Sequence, residues 1–472
     1  MHPEIIQGGM GVGVSSWTLA KAVAKKGQLG VVSSTALDAT LVRHLWAGDQ
    51  GGHLRRAMAA FPDQKFAGEI LSKYFQPEGR APEQPFPALP ILNRKLTDLQ
   101  QRLLVLGNFT EVFLAKEGHG GRIGVNLLTK IQIPTLPALY GALLAGAEYV
   151  LMGAGIPREI PGALDALTEH RATSIRFDIV GATGADDEVL DFDPLALWPE
   201  FEALKLHRPL FIPIVSSDSL ATMLSRKANG RVDGFVVETP VAGGHNAPPR
   251  GAPVMNGRGE PVYGPRDQAN LDKVAKLGLP FWLAGGVGTP GSLQSAKAVG
   301  AAGIQVGTLF AYTNESGLRP ELRQRVIDHA LTGDIDVLTD ARASPTGFPF
   351  KTVSLPDSLS EDAVYEDRER LCDLGYLRTA YRRDDGRIAY RCPSEPVDTY
   401  VKKGGENEDT AGRKCLCNAL IANIGLAQVR KDGTQEPPIL TSGDDLNLLG
   451  SFLGDRTSYT AEDVIEYLLA PV

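Results

Sequence analysis

The sequence predicts an α/β protein of the (β/α)₈ or TIM-barrel class. Eight short apolar runs recur along the chain, and most are followed by a Gly-containing turn and a helical stretch. These runs are continuous rather than alternating, which is typical of parallel strands that are buried on both faces. Such a barrel takes about 250 residues, so the 472 residues present leave room for insertions and an extension.

The predicted strands all lie before residue 311. They are residues 5–7, 29–33, 123–127, 149–153, 210–216, 235–238, 281–284 and 303–310. A doubly wound open sheet is the alternative fold. It is disfavoured because no early Gly-x-Gly-x-x-Gly precedes an acidic residue by about 20 positions, as a dinucleotide-binding sheet of that kind requires.

The predicted barrel spans residues 1–345 and carries two insertions. Residues 48–118 far exceed one helix and contain several helical stretches and a Pro-rich turn region, so we expect them to fold over one mouth of the barrel. Residues 174–193 hold two alternating stretches around a Gly-Ala-Thr-Gly turn, which predicts an appended antiparallel hairpin. Residues 346–472 are charged, contain every Cys, and are expected to form a C-terminal extension or small subdomain.

Charge and hydropathy exclude several classes of protein. With 48 basic and 56 acidic residues, the net charge of −8 argues against a nucleic-acid binder. No run approaches the roughly 18 apolar residues of a membrane span, and the N-terminus lacks the pattern of a signal peptide. We therefore expect a cytoplasmic protein that acts on a small molecule and contacts neither nucleic acid nor membrane. It could be a homo-oligomer.

Glycine-rich turns follow the sixth and seventh predicted strands, and glycine also lies near the end of the eighth. The first of these strands, residues 235–238, leads into Gly243-Gly244-His245, where the imidazole could act as a general base near neutral pH. Gly285-Gly286 follows the next strand, and residues 305–308 end the last. Consecutive turns after the seventh and eighth strands of such barrels often bind phosphate through backbone N–H groups. Each turn alone could equally be an ordinary tight connection.

Two features near the N-terminal half could contact a flat ligand. The first predicted strand ends in Gly9-Met10-Gly11, whose backbone allows close approach and whose thioether is a soft contact. Asn126 is polar within a buried strand and so needs hydrogen-bond partners, either a ligand or neighbouring backbone.

Taken in order, these motifs resemble the nitronate monooxygenase family, formerly called 2-nitropropane dioxygenases, over roughly residues 3–345. The resemblance implies a TIM barrel that binds FMN and uses O₂. It implies that Met10, Asn126, Glu238 and Gly243 contact the flavin, although the family usually carries Gln at position 238. The flavin phosphate and ribityl chain would then lie against Gly285, Gly286, Gln305, Val306, Gly307 and Thr308. The resemblance makes His245 the catalytic base, which deprotonates a nitroalkane or orients a nitronate.

Other activities remain open at this point. Flavoproteins with a similar Gly-Gly-His loop reduce enoyl thioesters or quinones with NAD(P)H, and this is the first alternative. A non-catalytic binding protein on a barrel scaffold is the second.

The four cysteines and three of the histidines are expected to have structural roles rather than catalytic ones. Four thiols, Cys372, Cys392, Cys415 and Cys417, could form a tetrahedral metal site. The close pair is Cys-x-Cys rather than Cys-x-x-Cys, so we expect unliganded thiols packed in the tail, apart from the flavin chemistry, and no metal. His44, His53 and His119 flank the long insertion and could line a lid, but are expected to be ordinary surface or capping residues.

Overall fold

The computed structural model describes residues 2–182 and 188–471 and contains the predicted barrel. Its main sheet has eight parallel strands, and their bounds agree with the prediction to within a few residues. They are Ile5–Gln7, Gly30–Ser33, Ile123–Leu128, Tyr149–Gly153, Leu210–Val215, Phe235–Glu238, Phe281–Ala284 and Gly303–Val306. From the second strand to the eighth, each strand pairs with the next one in sequence, and the eighth pairs with the first. A bridge between Ile6 and Leu29 joins the first strand to the second and closes the ring.

The barrel is filled and surrounded by apolar side chains. Inward-facing residues form a core of their own, in which Trp282, Tyr149 and Leu151 meet Ile6 and Val236. Helices cover the outside of the barrel, and their packed faces form the largest core of the protein. The α-helices before the tail are Trp17–Lys25, Leu37–Trp46, His53–Met58, Gln64–Tyr74, Asp98–Lys116, Thr135–Leu144, Ile160–Thr168, Pro194–Leu197, Asp218–Lys227, Leu271–Ala275, Ser292–Ala298, Thr308–Ala311 and Pro320–Thr332.

The predicted eighth strand is too long. The strand ends at Val306, and residues 308–311 form a helix after Gly307. Leu309 and Phe310 are buried in that helix. A short buried apolar run has no period that separates helix from strand, which explains the error.

The helices of the long insertion pack on the outside of the barrel, while its Pro-rich part reaches the mouth, where Phe86 packs against Val12 after the first strand. Helix Asp98–Lys116 begins at a capping box formed by Thr97 and Gln100, and packs against the helices Leu37–Trp46 and Thr135–Leu144. Its apolar face is thereby buried between neighbours of the barrel wall.

The appended hairpin is present. Strand Thr173–Arg176 pairs antiparallel with Val189–Phe192. Residues 183 and 184 of the predicted turn lie outside the described residues. The short strand Ile179–Val180 extends a small sheet of the tail by pairing with Thr379–Arg382.

The C-terminal extension packs onto the barrel. A hairpin of Val337–Asp340 and Phe350–Val353 spans residue 345, and a second hairpin joins Thr379–Arg382 to Ile388–Arg391. The tail helices are Asp362–Asp367, Val397–Lys402, Leu416–Ala422, Leu449–Leu453 and Ala461–Leu469. One apolar cluster joins Leu377 and Leu416 of the tail to Ile131, which follows the third strand. Within 2–182 and 188–471, every helix is too short or too polar to cross a bilayer.

Candidate active site

A pocket of about 230 Å³ lies where the barrel strands end. Parallel strands bring their carboxyl ends to one face of a barrel, and catalytic pockets of this fold lie on that face. All of the residues predicted to bind cofactor or to act as base line this one pocket. They are Gly9, Met10, Gly11, Asn126, Glu238, Gly243, Gly244, His245, Gly285, Gly286, Gln305, Val306, Gly307 and Thr308. The structure therefore brings the predicted site together, while the role of each residue stays a prediction.

Two amide side chains in the pocket wall have unpaired oxygens. Asn126 donates from Nδ2 to the carbonyl oxygen of Gly9 at 3.2 Å. Its Oδ1 atom is buried without a hydrogen-bond partner, and so is Oε1 of Gln305. Buried polar atoms are normally paired, because an unpaired one costs about 1–3 kcal/mol. A ligand with hydrogen-bond donors along one edge would satisfy both oxygens.

Close packing at the first turn requires glycine. A Cβ atom at Gly9 would lie 2.1 Å from Cβ of Asn126. The backbone of this turn therefore touches the third strand directly, which leaves Met10 to form the pocket surface beside it.

The turn after the seventh strand contains two consecutive glycines in the left-handed region. Gly285 and Gly286 have φ values of 86° and 71°. Successive backbone N–H groups in turns of this kind form concavities that bind anions. After the neighbouring eighth strand, the Thr308 hydroxyl donates to Oδ1 of Asp445 at 2.7 Å. Burial raises the pKa of Asp445 above its ordinary value.

His245 is held in one orientation at the edge of the pocket. Its Nε2 atom is 2.7 Å from the Ser344 hydroxyl oxygen. Its ring meets the ring of Phe350 edge-on, with centroids 4.9 Å apart. The turn before it is anchored by the Gly244 N–H, which donates to Oγ1 of Thr441 at 2.8 Å. Burial lowers the pKa of His245 to about 4, so the imidazole is neutral at pH 7.

Glu238 and His245 connect the pocket to a second chamber. These two residues line the pocket and also a cavity of about 220 Å³, whose other lining residues include Tyr263 and Arg250. Burial raises the pKa of Glu238 to about 7. Its carboxyl has no hydrogen-bond or ion-pair partner among the residues that the structure describes, so it is free to meet a ligand from either side.

The tail supplies part of the pocket wall, which the sequence analysis missed. These residues are Phe350, Tyr376, Leu377, Leu416, Cys417, Leu420, Thr441, Ser442, Gly443 and Asp445. Cys417, one of the four thiols expected to belong to the tail and not to the flavin chemistry, therefore lines this pocket. The tail loop approaches closely, since a Cβ at Gly243 would lie 2.7 Å from the carbonyl carbon of Ser442. The Ser442-Gly443 pair was the available signal, but it follows no predicted barrel strand.

The three flanking histidines do not line the pocket. His44 and His53 line a separate cavity of about 300 Å³ with Glu111 and Trp17. His119 contacts the Ala115 carbonyl oxygen and so caps the helix Asp98–Lys116.

Comparisons with known proteins agree with the resemblance drawn from the motifs. The nitronate monooxygenase family model matches residues 194–344, which confirms that resemblance over this segment. A search of curated protein sequences finds no match.

Three solved structures align with nearly the whole chain at low identity and TM-scores below 0.5. FabK from Thermotoga maritima has 16% identity and a TM-score of 0.46, covering 99% of this chain and 91% of its own. Nitroalkane oxidase from Streptomyces ansochromogenes has 14% identity and a TM-score of 0.46, covering 98% and 93%. The enoyl reductase domain of MlnA from Bacillus amyloliquefaciens has 12% identity and a TM-score of 0.48, covering 98% and 92%.

The barrel, its pocket and the family match together support a flavin-dependent oxidoreductase. Within this class, the segment that matches the family model contains Glu238, the Gly-Gly-His turn and the glycine turn at 285–286.

Proposed function

We propose that this protein is an FMN-dependent oxidase of alkyl nitronates that uses O₂ as the electron acceptor. The observation that carries the proposal is His245, a neutral imidazole oriented by Ser344 at the edge of a glycine-lined barrel pocket. Bound FMN would supply the redox chemistry by accepting electrons from the substrate and passing them to O₂.

The pocket residues fit a flavin. The unpaired amide oxygens of Asn126 and Gln305 would accept hydrogen bonds from ligand N–H or O–H groups. The concavity at Gly285 and Gly286 would receive the phosphate, which would lie near the Thr308 hydroxyl.

The state of His245 favours an anionic substrate over a neutral one. A pKa of about 4 lies below the ordinary value of 6.5. The difference makes protonation of this imidazole roughly 3 kcal/mol less favourable than in water. Taking a proton from a neutral nitroalkane is therefore costly. A nitronate has already lost that proton, and its negative charge can accept a hydrogen bond from the imidazole N–H.

Steady-state kinetics with the FMN-loaded enzyme test this proposal. At pH 7 we expect kcat/KM for an alkyl nitronate to exceed that for the parent nitroalkane by at least about 100-fold, the ratio that corresponds to 2.7 kcal/mol. His245→Asn should keep the protein yellow and lower turnover of both substrates. Full activity of that variant would refute the role of His245.

Anaerobic reduction separates the proposal from the reductase alternative. Mixing with a nitronate should bleach the flavin absorbance near 450 nm, whereas NADH or NADPH alone should leave it unchanged. Rapid bleaching by either nicotinamide would instead identify a reductase of enoyl thioesters or quinones. A protein that binds no flavin after addition of FMN would be a binding protein on a barrel scaffold.

A further inference from the structure

A small void in the tail is surrounded by all four cysteines of the chain. The thiols of this cluster come from separate segments and line a void of about 10 Å³; they are Cys372, Cys392, Cys415 and Cys417. We call them the thiol cluster. One member follows the strand Ile388–Arg391, and two flank the first residue of the helix Leu416–Ala422. All four are free cysteines, so folding of the tail rather than disulfide bonding brings them together.

The four thiols border one shared void, and each is buried or half-buried. Each thiol also lies within electrostatic range of the other three. Thiols that converge on one space become ligands when a metal centre binds and displaces their protons.

The surroundings of the thiol cluster suit a thiolate-bound metal centre. The Arg368 and Arg378 guanidinium groups lie near Cys415 and Cys372, respectively, beside the acidic groups of Glu436, Glu395 and Asp373. The Asn418 amide donates to Sγ of Cys415 at 3.5 Å. Hydrogen bonds and positive charges around the sulfurs are the usual outer partners of such centres. Arg368 also pairs with the buried Glu436, which fixes its guanidinium in place.

The size of the void distinguishes a single ion from a cluster. Zinc would sit about 2.3 Å from each sulfur. A void that admits a water-sized sphere of about 1.4 Å radius keeps the sulfur nuclei farther from its centre than that. Consistently, no three His, Cys, Asp or Glu side chains in residues 2–182 and 188–471 are placed to hold one metal ion. Iron and inorganic sulfide together fill a wider space between four thiolates.

We propose that the thiol cluster ligates an iron–sulfur cluster. Cys417 lines both this void and the barrel pocket, so the metal centre would lie directly beside the pocket. The spacing of the ligands along the chain, with a Cys-x-Cys pair, hides this site from motif searches that look for Cys-x-x-Cys. The inference concerns the tail alone and does not depend on the identity of the flavin or the substrate.

Anaerobic purification of the full chain tests the proposal. We expect iron and acid-labile sulfide in about equal amounts, either as isolated or after reconstitution with ferrous iron and sulfide. Reduction with dithionite should produce a low-temperature electron paramagnetic resonance signal that flavin cannot produce. Cys392→Ser and Cys415→Ser should each lose most of the iron. Ser394→Ala is the matched control, because Ser394 lines the same void without a thiol and should retain the iron.

Three results would overturn the proposal. One zinc per chain without iron would identify a single-ion site. Failure to bind iron after reconstitution, with four thiols reactive in the unfolded chain, would identify unliganded cysteines. Equal iron in the wild type and both Cys variants would show that the metal is bound elsewhere. Flavin content measured on the same samples separates this outcome from failure of the proposed function.

Discussion

Replacing Glu238 with Gln should remove a large part of the pH dependence of stability. In the folded chain, burial raises the pKa of this carboxyl from 4.5 to about 7. The shift corresponds to about 3 kcal/mol, at 1.36 kcal/mol per pKa unit. Glu238 faces a cavity that admits water, and screening by that water brings the figure closer to about 2 kcal/mol.

The sign follows from proton binding. Because the folded chain holds the proton of Glu238 more tightly than the unfolded chain, the stability from this group is fully present below pH 4.5. It is lost as the pH rises from 4.5 to about 7, and the loss then levels off. Gln does not titrate, and part of the loss is already complete at pH 5, so E238Q should gain about 1–2 kcal/mol relative to the wild type between pH 5 and pH 8.5.

Denaturant unfolding of the flavin-free chain at pH 5, 7 and 8.5 measures this difference. Glu111→Gln should behave similarly, since burial also raises the pKa of Glu111 to about 7. Glu260→Gln is the control, because hydrogen bonds from Thr339 N and Asn256 Nδ2 outweigh burial and hold the pKa of Glu260 below its ordinary value. A constant difference between E238Q and the wild type across this range would refute the reasoning.

The remaining predictions concern flavin binding and turnover. Gly9→Ala should abolish flavin binding, measured by quenching of flavin fluorescence, because its Cβ would collide with Asn126. Asp445→Asn should tighten FMN binding about tenfold relative to riboflavin, which lacks the phosphate, by removing a carboxylate from the pocket wall. Ser344→Ala should lower kcat with a nitronate about fivefold, with unchanged flavin affinity, because His245 loses the hydrogen bond that orients it.

Controls make these outcomes specific. Gly120→Ala should bind flavin normally, because a Cβ there meets nothing within 4 Å and the residue lies outside the pocket. Equal gains in FMN and riboflavin affinity for Asp445→Asn would contradict placement of the phosphate near that carboxyl. A fall in flavin affinity for Ser344→Ala would show that Ser344 supports the cofactor rather than the imidazole.

The barrel and most of the candidate site could be predicted from the sequence, because both depend on local signals. Continuous apolar runs indicate strands buried on both faces, and the turns that follow them must meet at one end of a closed barrel. That is why Gly9, Asn126, His245 and the turn at 285–286 were placed together correctly. The eighth strand was predicted too long because the buried apolar pair Leu309 and Phe310 fits a helix as well as a strand.

Only the tertiary structure decided the state of the site and the role of the tail. Burial depends on every neighbour in space, so the lowered pKa of His245 and the raised pKa of Glu238 follow from packing that no local pattern records. Contact between Gly243 and Ser442 joins segments far apart in the chain, and the four thiols converge in the same way. By itself the sequence determined a barrel with a glycine-lined mouth. The fold determined that the tail forms one wall of the pocket and surrounds a void with sulfur.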